Sequence, residues 1–166
     1  MTSIRLFLGS SKRLIILKIL VPHDGSRISN KAFDKALQFA RQLNCEILLL
    51  HIIDLKLLHS DSILKYIHQK SELEKAKTQL LSYLKAGAES ILKDNVERAK
   101  KKGVNVIFTL GMGSTCNVAN DESVDFIIIG STGLSSGDNQ TNKLKVLGSV
   151  ARRVSELADC PVMIVK

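Results

Sequence analysis

Two glycine-bordered turns in the last third of the sequence have the residues best suited to chemistry. Residues 130–133 (GSTG) follow an apolar stretch, and Gly148 and Ser149 open a segment with helical periodicity. Phosphate binds where backbone N–H groups can approach closely, and glycine permits this because it has no Cβ. A helix N-terminus adds unpaired N–H groups and a partial positive charge. These turns predict a phosphate site, although strand-to-helix turns with a serine cap fit the spacing equally well.

Neither a catalytic residue nor a metal site is predicted. His23 and His51 lie near predicted strand ends, but a metal site needs three or four converging ligands, and no His/Cys/carboxylate cluster has that spacing. The sequence also lacks the Gly-x4-Gly-Lys-Ser/Thr loop and an obvious water-positioning base of a fast ATPase. Three scattered cysteines predict ordinary thiols in a reducing compartment.

Alternating strands and helices must position these turns. Short apolar runs closed by turn residues predict buried strands, and apolar side chains at helical spacing predict helices between them. This order predicts an α/β fold with a parallel sheet and helices on both faces, whose ligand site lies beyond the carboxyl ends of the strands. The predicted strands are residues 14–21, 46–53, 104–110, 124–129 and 161–165; the predicted helices run from Ser29 or Asn30 as N-cap to Leu43, and over 61–102, 114–122 and 147–158.

Charge and composition narrow the class of protein. The 166 residues are 45% hydrophobic and 24% charged, which is typical of a globular domain, and no apolar run is long enough to cross a membrane. The net charge of +8 is concentrated in residues 1–20 and 60–102, away from the candidate turns, so it does not predict nucleic-acid binding. Residues 1–13 are expected to be a flexible basic extension, with a transit peptide as the alternative, and residues 14–166 a single domain.

Several segments, taken in order, resemble the universal stress protein family. They are ILVPHDGS at the first predicted strand, LLLHIID at the second, IIIGSTG followed by LGSVARRV, and a final CPVMIVK. The resemblance covers residues 16–166. It implies a Rossmann-like, open parallel five-stranded sheet with strand order 3-2-1-4-5 and helices on both faces.

The nucleotide-binding branch of this family has two glycines three apart, nine further residues and a closing Gly-Ser or Gly-Thr. Gly130, Gly133 and Gly148-Ser149 match this motif, with 14 residues instead of nine between the second and third glycines. By resemblance, Asp24 faces adenine or ribose (the alternative being a turn or cap residue) and Ile52 flanks adenine (the alternative being plain core). The full set of expected cofactor-binding residues is Pro22, Asp24, Ile52, Gly111, Gly130, Ser131, Gly133, Gly148, Ser149 and Val150.

The resemblance therefore implies a cytoplasmic stress-response protein that binds ATP, ADP or AMP and acts as a dimeric regulatory switch. Mg²⁺ or Mn²⁺ is expected to be held through the phosphates. The family pairs through its last strand, here residues 161–165, whose opening proline and apolar side chains are typical of an edge strand. Two alternatives stay open: a dimeric scaffold that binds no nucleotide, and a slow ATP hydrolase or autophosphorylating protein with Ser131, Thr132 or Ser149 as acceptor.

Overall fold

The computed structural model describes residues 17–53, 70–112, 114–134 and 147–166. The predicted basic extension (1–13), the beginning of the helix predicted from residue 61 and the polar segment 135–141 lie outside these described residues.

Five strands form one sheet in which every neighbouring pair is parallel. The spatial order is β3-β2-β1-β4-β5, which confirms the expected topology. In the centre of the sheet, Leu20 pairs with Leu48 on one side and with Ile127 on the other. The strands are β1 (Lys18–Pro22), β2 (Glu46–Ile53), β3 (Val106–Met112), β4 (Phe126–Gly130) and β5 (Val162–Val165).

Helices cover both faces of this sheet, as the alternating pattern predicts. Successive side chains of a strand point to opposite faces, so the core is divided into two clusters. Phe33 and Leu92 are fully buried in the first cluster, and Ala151 and Val154 are buried in the second. Helices α1 and α2 cover one face, and α3 and α4 cover the other; they span α1 (Arg27–Leu43), α2 (Lys70–Lys100), α3 (Thr115–Asp121) and α4 (Ser149–Leu157).

The predicted start of α1 was wrong. The helix begins at Arg27, and its N-cap is Ser26, whose hydroxyl accepts a hydrogen bond from the backbone N–H of Ser29 at 3.0 Å. Ser29 therefore lies inside the first turn, where it is buried. The apolar stripe begins after the first turn of the helix, so it predicted an N-cap that was too late. The true position of the cap depends on the path of the preceding turn.

Helix α2 packs on the sheet through its carboxyl-terminal half only. Ala88, Leu92, Asn95 and Ala99 are buried at helical spacing, whereas the described side chains of residues 72–87 are half-buried or exposed. The helix ends at Lys100, and the turn that follows it is closed by Val104, whose N–H donates to the carbonyl of Ala99 at 3.1 Å. This contact explains why β3 begins at Val106 and not at residue 104, as the sequence predicted.

Two glycines with different surroundings test this packing. In Gly87→Ala, the new Cβ meets nothing within 4 Å on a helix, so we expect the free energy of unfolding to rise by about 0.5–1 kcal/mol. In Gly111→Ala, the Cβ would lie 2.7 Å from Cδ1 of Ile52, and we expect a loss of about 1–3 kcal/mol. Urea unfolding measures both; equal effects of the two substitutions would contradict the packing described at Gly111.

Candidate functional site

The candidate site lies where the connections from two adjacent strands diverge. After β1 the chain turns through residues 23–26 into α1 on one face of the sheet. After β4, its neighbour, the chain leads to α4 on the opposite face. In open parallel sheets this divergence leaves a crevice at the carboxyl ends of the strands, where ligands bind.

The two glycine-bordered turns come together in this crevice. The N–H of Gly148 donates to the carbonyl of Ser131 at 2.8 Å. A Cβ on Gly148 would lie 3.4 Å from Cα of Thr132 and 3.8 Å from the backbone nitrogen of Gly133. The 14 residues between Gly133 and Gly148 therefore do not keep the turns apart.

The amino end of α4 is open toward this contact. Gly148 is the N-cap, with extended backbone and no side-chain cap hydrogen bond, and the first turn carries no acidic residue. The side chains of Ser149 and Val150 are exposed. Because the first backbone N–H groups of a helix have no partner within it, this end offers donors and a partial positive charge. Such an end is suited to an anion.

Gly130 and Ser131 have structural roles that the sequence analysis missed. A Cβ on Gly130 would lie 2.9 Å from Cγ2 of Ile28 and 3.2 Å from its carbonyl carbon, so glycine is needed for α1 to approach β4. The N–H of Ser131 donates to the carbonyl of Val165 at 2.7 Å and continues the pairing of β4 with β5. This N–H is therefore already used, and the phosphate interpretation of the turn depends on Gly133 and on the amino end of α4.

Asp24 links the two connections. One carboxylate oxygen accepts from the backbone N–H of Ser26 at 3.0 Å, and the other accepts from the N–H of Leu134 at 3.0 Å. A Cβ on Gly133 would lie 2.6 Å from that second oxygen, so glycine is required beside the carboxylate. These contacts are those of a turn or cap residue, which is the alternative role that the sequence analysis gave for Asp24.

The hydrogen bonds at Asp24 also set its charge state. Burial on its own would raise the pKa of this carboxyl group, but hydrogen bonds from Ser26, from the backbone of Leu134 and from Ser29 outweigh it. The pKa therefore lies below its ordinary value, and the carboxylate is ionised at neutral pH.

Of the remaining predicted residues, Pro22 lies on β1 itself, and Ile52 and Gly111 lie on the side of β1 away from β4. Pro22 ends β1 and pairs in register with Leu50 of β2. Ile52 and Gly111 pair with each other at the carboxyl ends of β2 and β3, and Cδ1 of Ile52 covers the position where a Cβ of Gly111 would be. Ile52 is half-buried against the second core cluster. Part of its side chain therefore belongs to the core, as in the alternative interpretation, and the rest is exposed.

The described residues provide neither a metal centre nor a membrane-spanning helix. Within the described ranges, no group of three or more His, Cys, Asp or Glu side chains could hold a metal ion. No helix in the same part of the chain is both long and apolar enough to span a bilayer.

Comparison with known proteins assigns the family. The model of the universal stress protein family matches residues 16–166, and the chain belongs to that family. Universal stress protein YxiE of Bacillus subtilis is 31% identical over 153 residues, which cover 90% of this chain and 98% of the relative. The solved structure of MJ0577, a universal stress protein of Methanocaldococcus jannaschii, superimposes with a TM-score of 0.74 and 26% identity, covering 92% of this chain and 97% of that one.

Three solved structures with the same fold contain nucleotides. An Arabidopsis thaliana protein of the family with AMP bound has a TM-score of 0.60 at 22% identity, over 90% of this chain and 91% of that one. A universal stress protein in complex with cAMP has a TM-score of 0.60 at 21% identity, over 90% and 96% of the two chains. The Archaeoglobus fulgidus protein in complex with dAMP has a TM-score of 0.58 at 19% identity, over 92% and 100%.

Replacement of Asp24 tests the link between the connections. Asp24→Asn keeps one acceptor but turns an amide N–H toward that of Leu134, so we expect the free energy of unfolding at pH 7 to fall by about 1–2 kcal/mol. Since the pKa of Asp24 is lowered, its contribution is present above the unfolded value of about 3.9 and disappears as pH falls through the lowered pKa. Urea unfolding between about pH 7 and pH 2 should therefore show the difference shrinking below about pH 4.

The matched control is Asp94→Asn, which neutralises an exposed carboxylate on α2. It should change stability by less than about 0.5 kcal/mol. A similar loss in both variants would show that general charge, and not the contact with Leu134, is responsible.

Proposed function

We propose that this protein is a regulatory module that binds an adenine nucleotide (ATP, ADP or AMP) in the crevice between β1 and β4. The observation that carries the proposal is the contact between the two glycine-bordered turns, 2.8 Å from the N–H of Gly148 to the carbonyl of Ser131. It places an uncapped helix N-terminus beside the carboxyl end of β4. Phosphate binding at such an end needs no cationic side chain.

The phosphates are proposed to lie at Gly133 and at the amino end of α4. Gly148 leaves the first N–H groups of α4 accessible because it has no side chain, and Ser149 adds a hydroxyl. Mg²⁺ or Mn²⁺ would be held through the phosphates.

The adenosine part is proposed to lie toward Asp24 and Ile52. An ionised carboxylate has about four lone-pair positions. At Asp24 two are used by backbone N–H groups, and Ser29 also donates to this carboxylate. The remaining positions can accept from ribose hydroxyls or from the adenine amino group. The exposed part of Ile52 offers an apolar surface for the base. AMP, cAMP and dAMP, found in the neighbours described above, share an adenine and a sugar phosphate.

A dimeric scaffold without nucleotide is the second candidate. It is favoured by the structural roles of Gly130 and Ser131, which account for half of the GSTG turn without a ligand. Extraction of nucleotide from the purified protein under mild denaturation, followed by mass spectrometry, separates the candidates. Absence of nucleotide, together with no heat of binding on titration with ATP and Mg²⁺, would support the scaffold.

Pairing of two chains through residues 161–165 is part of the proposal. Strand β5 lies at an edge of the sheet, and all four of its residues are half-buried. An edge strand of this composition can pair with a copy of itself. Light scattering at micromolar concentration should give about twice the mass of one chain, and a single-chain mass would contradict the pairing.

A negative charge at the amino end of α4 tests the proposed phosphate site. In Ser149→Asp the new carboxylate repels phosphate, and we expect the affinity for ATP with Mg²⁺ to fall about tenfold or more, since like charges about 4 Å apart cost about 1–4 kcal/mol. The fold should be kept, because an acid in the first helical turn is favourable to the helix. Calorimetric titration measures the affinity, and urea unfolding measures the stability.

Gln38→Glu is the matched control, since it adds the same charge at an exposed position on α1. Its affinity should stay within about twofold of that of the original protein. If Ser149→Asp also binds normally, the phosphates do not lie at α4.

A further inference from the structure

His23 lies in the turn that carries Asp24, and only 3% of its surface is exposed. Its backbone N–H donates to the carbonyl of Leu50 at 2.8 Å, and its own carbonyl accepts from Nδ1 of His51 at 2.8 Å. Its ring packs edge-on against Phe33 of α1, with the centroids 6.4 Å apart. The imidazole is thus enclosed between the sheet and the helices.

Both nitrogens of this ring face N–H donors. The backbone N–H of Gly25 lies 3.2 Å from Nδ1, and Nδ2 of Asn95 lies 3.3 Å from Nε2. The orientation of the Asn95 amide follows from its other contacts, because Oδ1 accepts from Arg98 at 2.7 Å and Nδ2 donates to the carbonyl of Ile91 at 3.1 Å. A neutral ring has one lone pair, so only one of these two contacts is a hydrogen bond. Because Nδ2 of Asn95 already donates to the carbonyl of Ile91, the lone pair is assigned to Nδ1, facing Gly25, and the proton to Nε2.

Charged groups face His23 from the surrounding elements. Asp24 belongs to its own turn, His51 to β2 and Arg98 to α2. Asp34 of α1 forms an ion pair with Arg98. The guanidinium of Arg98 therefore stays beside the imidazole, where it disfavours a second positive charge.

These surroundings lower the pKa of His23 from its ordinary value of 6.5. Burial is the largest cause, and the charges of His51 and Arg98 act in the same direction, whereas a hydrogen bond with Asn30 and the charge of Asp24 oppose it. The contribution of the neutral ring to the free energy of unfolding is therefore fully present above about pH 6.5. It is lost as pH falls below that value toward the lowered pKa.

We propose that His23 is a pH-dependent positioning residue for the nucleotide site: its neutral ring holds the turn that directs Asp24, and protonation of Nδ1 releases that turn. A second ring proton would point at the N–H of Gly25, so the contact that spans Asp24 would become a repulsion between two donors. Gly25 has a positive φ of 85°, a conformation that this contact helps to hold. Adenine nucleotide would then bind more weakly in mildly acidic solution. This link to binding rests on the proposed function; the behaviour of the turn itself does not.

His23→Asn provides the test, because the Asn side-chain oxygen can replace Nδ1 as the acceptor for Gly25 but does not titrate. Calorimetry with ATP and Mg²⁺ at about pH 7.5 and pH 5.5 compares this variant with the original protein, and the ratio at each pH cancels the titration of the nucleotide. We expect the original protein to lose more affinity than His23→Asn over this range, by a factor below about ten, because a ring whose pKa lies under 6.5 is only partly protonated at pH 5.5.

His51→Asn is the matched control, since it removes the neighbouring imidazole, whose Nδ1 contacts the carbonyl of His23 and not the N–H of Gly25. Its affinity should still fall with pH, but the fall should begin at a slightly higher pH, because the charge of His51 is one of the causes that lower the pKa of His23. Equal pH dependence in His23→Asn and the original protein, or its loss in His51→Asn alone, would overturn the proposal.

A measurement on the ligand-free original protein decides the role of His23 even if His23→Asn does not fold or no nucleotide binds. The ring ¹⁵N shifts should report a proton on Nε2 at neutral pH, and the amide resonances of Gly25 and Leu134 should move with the titration of His23. A Gly25 amide that does not follow the ring would disprove the turn mechanism. Failure of ATP to bind at either pH would instead disprove the proposed function.

Discussion

The structure depends on the hydrogen bonds that join two chain connections. These connections leave adjacent parallel strands toward opposite faces of the sheet. The carboxylate of Asp24 accepts N–H groups from both connections, and Gly148 is hydrogen-bonded to Ser131 across the same crevice. Strand pairing alone does not bring these loops together, because its hydrogen bonds end at His23 and Ser131. Their contacts give the crevice a defined width and leave an open helix end beside it. Any ligand at this position meets groups that already have fixed places.

The glycines at this end of the sheet have different structural roles. Gly130 is needed because Cγ2 and the backbone of Ile28 occupy the space of a Cβ. At Gly111 the same space is filled by the end of the Ile52 side chain, which a Cβ would have to displace. Gly133 makes room for a carboxylate, and Gly148 begins a helix without capping it. A spacing of glycines can therefore persist for reasons of packing alone. Within the motif, Gly148 is the glycine whose Cβ would meet only ordinary contact distances, so it is the one that packing explains least.

Most of the fold could be predicted from the sequence, because continuous apolar strands and amphipathic helices are local patterns. The candidate turns could be located in the same way. The structural roles of individual residues could not be predicted from the sequence. Ile28 and Gly130, like Asp24 and Leu134, are more than a hundred residues apart and meet only after the sheet forms. The start of α1 was misplaced for a related reason: Ser26, Ser29 and Asn30 are all acceptable caps, and the path of the preceding turn selects among them.

Helix α2 has 31 residues and is much longer than the strands that it covers. Ile91 lies against the Gly25 turn, beyond the end of β1, and the 21 residues from 70 to 90 precede that contact. At 1.5 Å per residue they extend about 30 Å past it. No described side chain between residues 72 and 87 is fully buried. This projecting part can unwind without opening either core cluster, so its melting is thermodynamically separable from that of the domain, and its amides should exchange with solvent through local fraying.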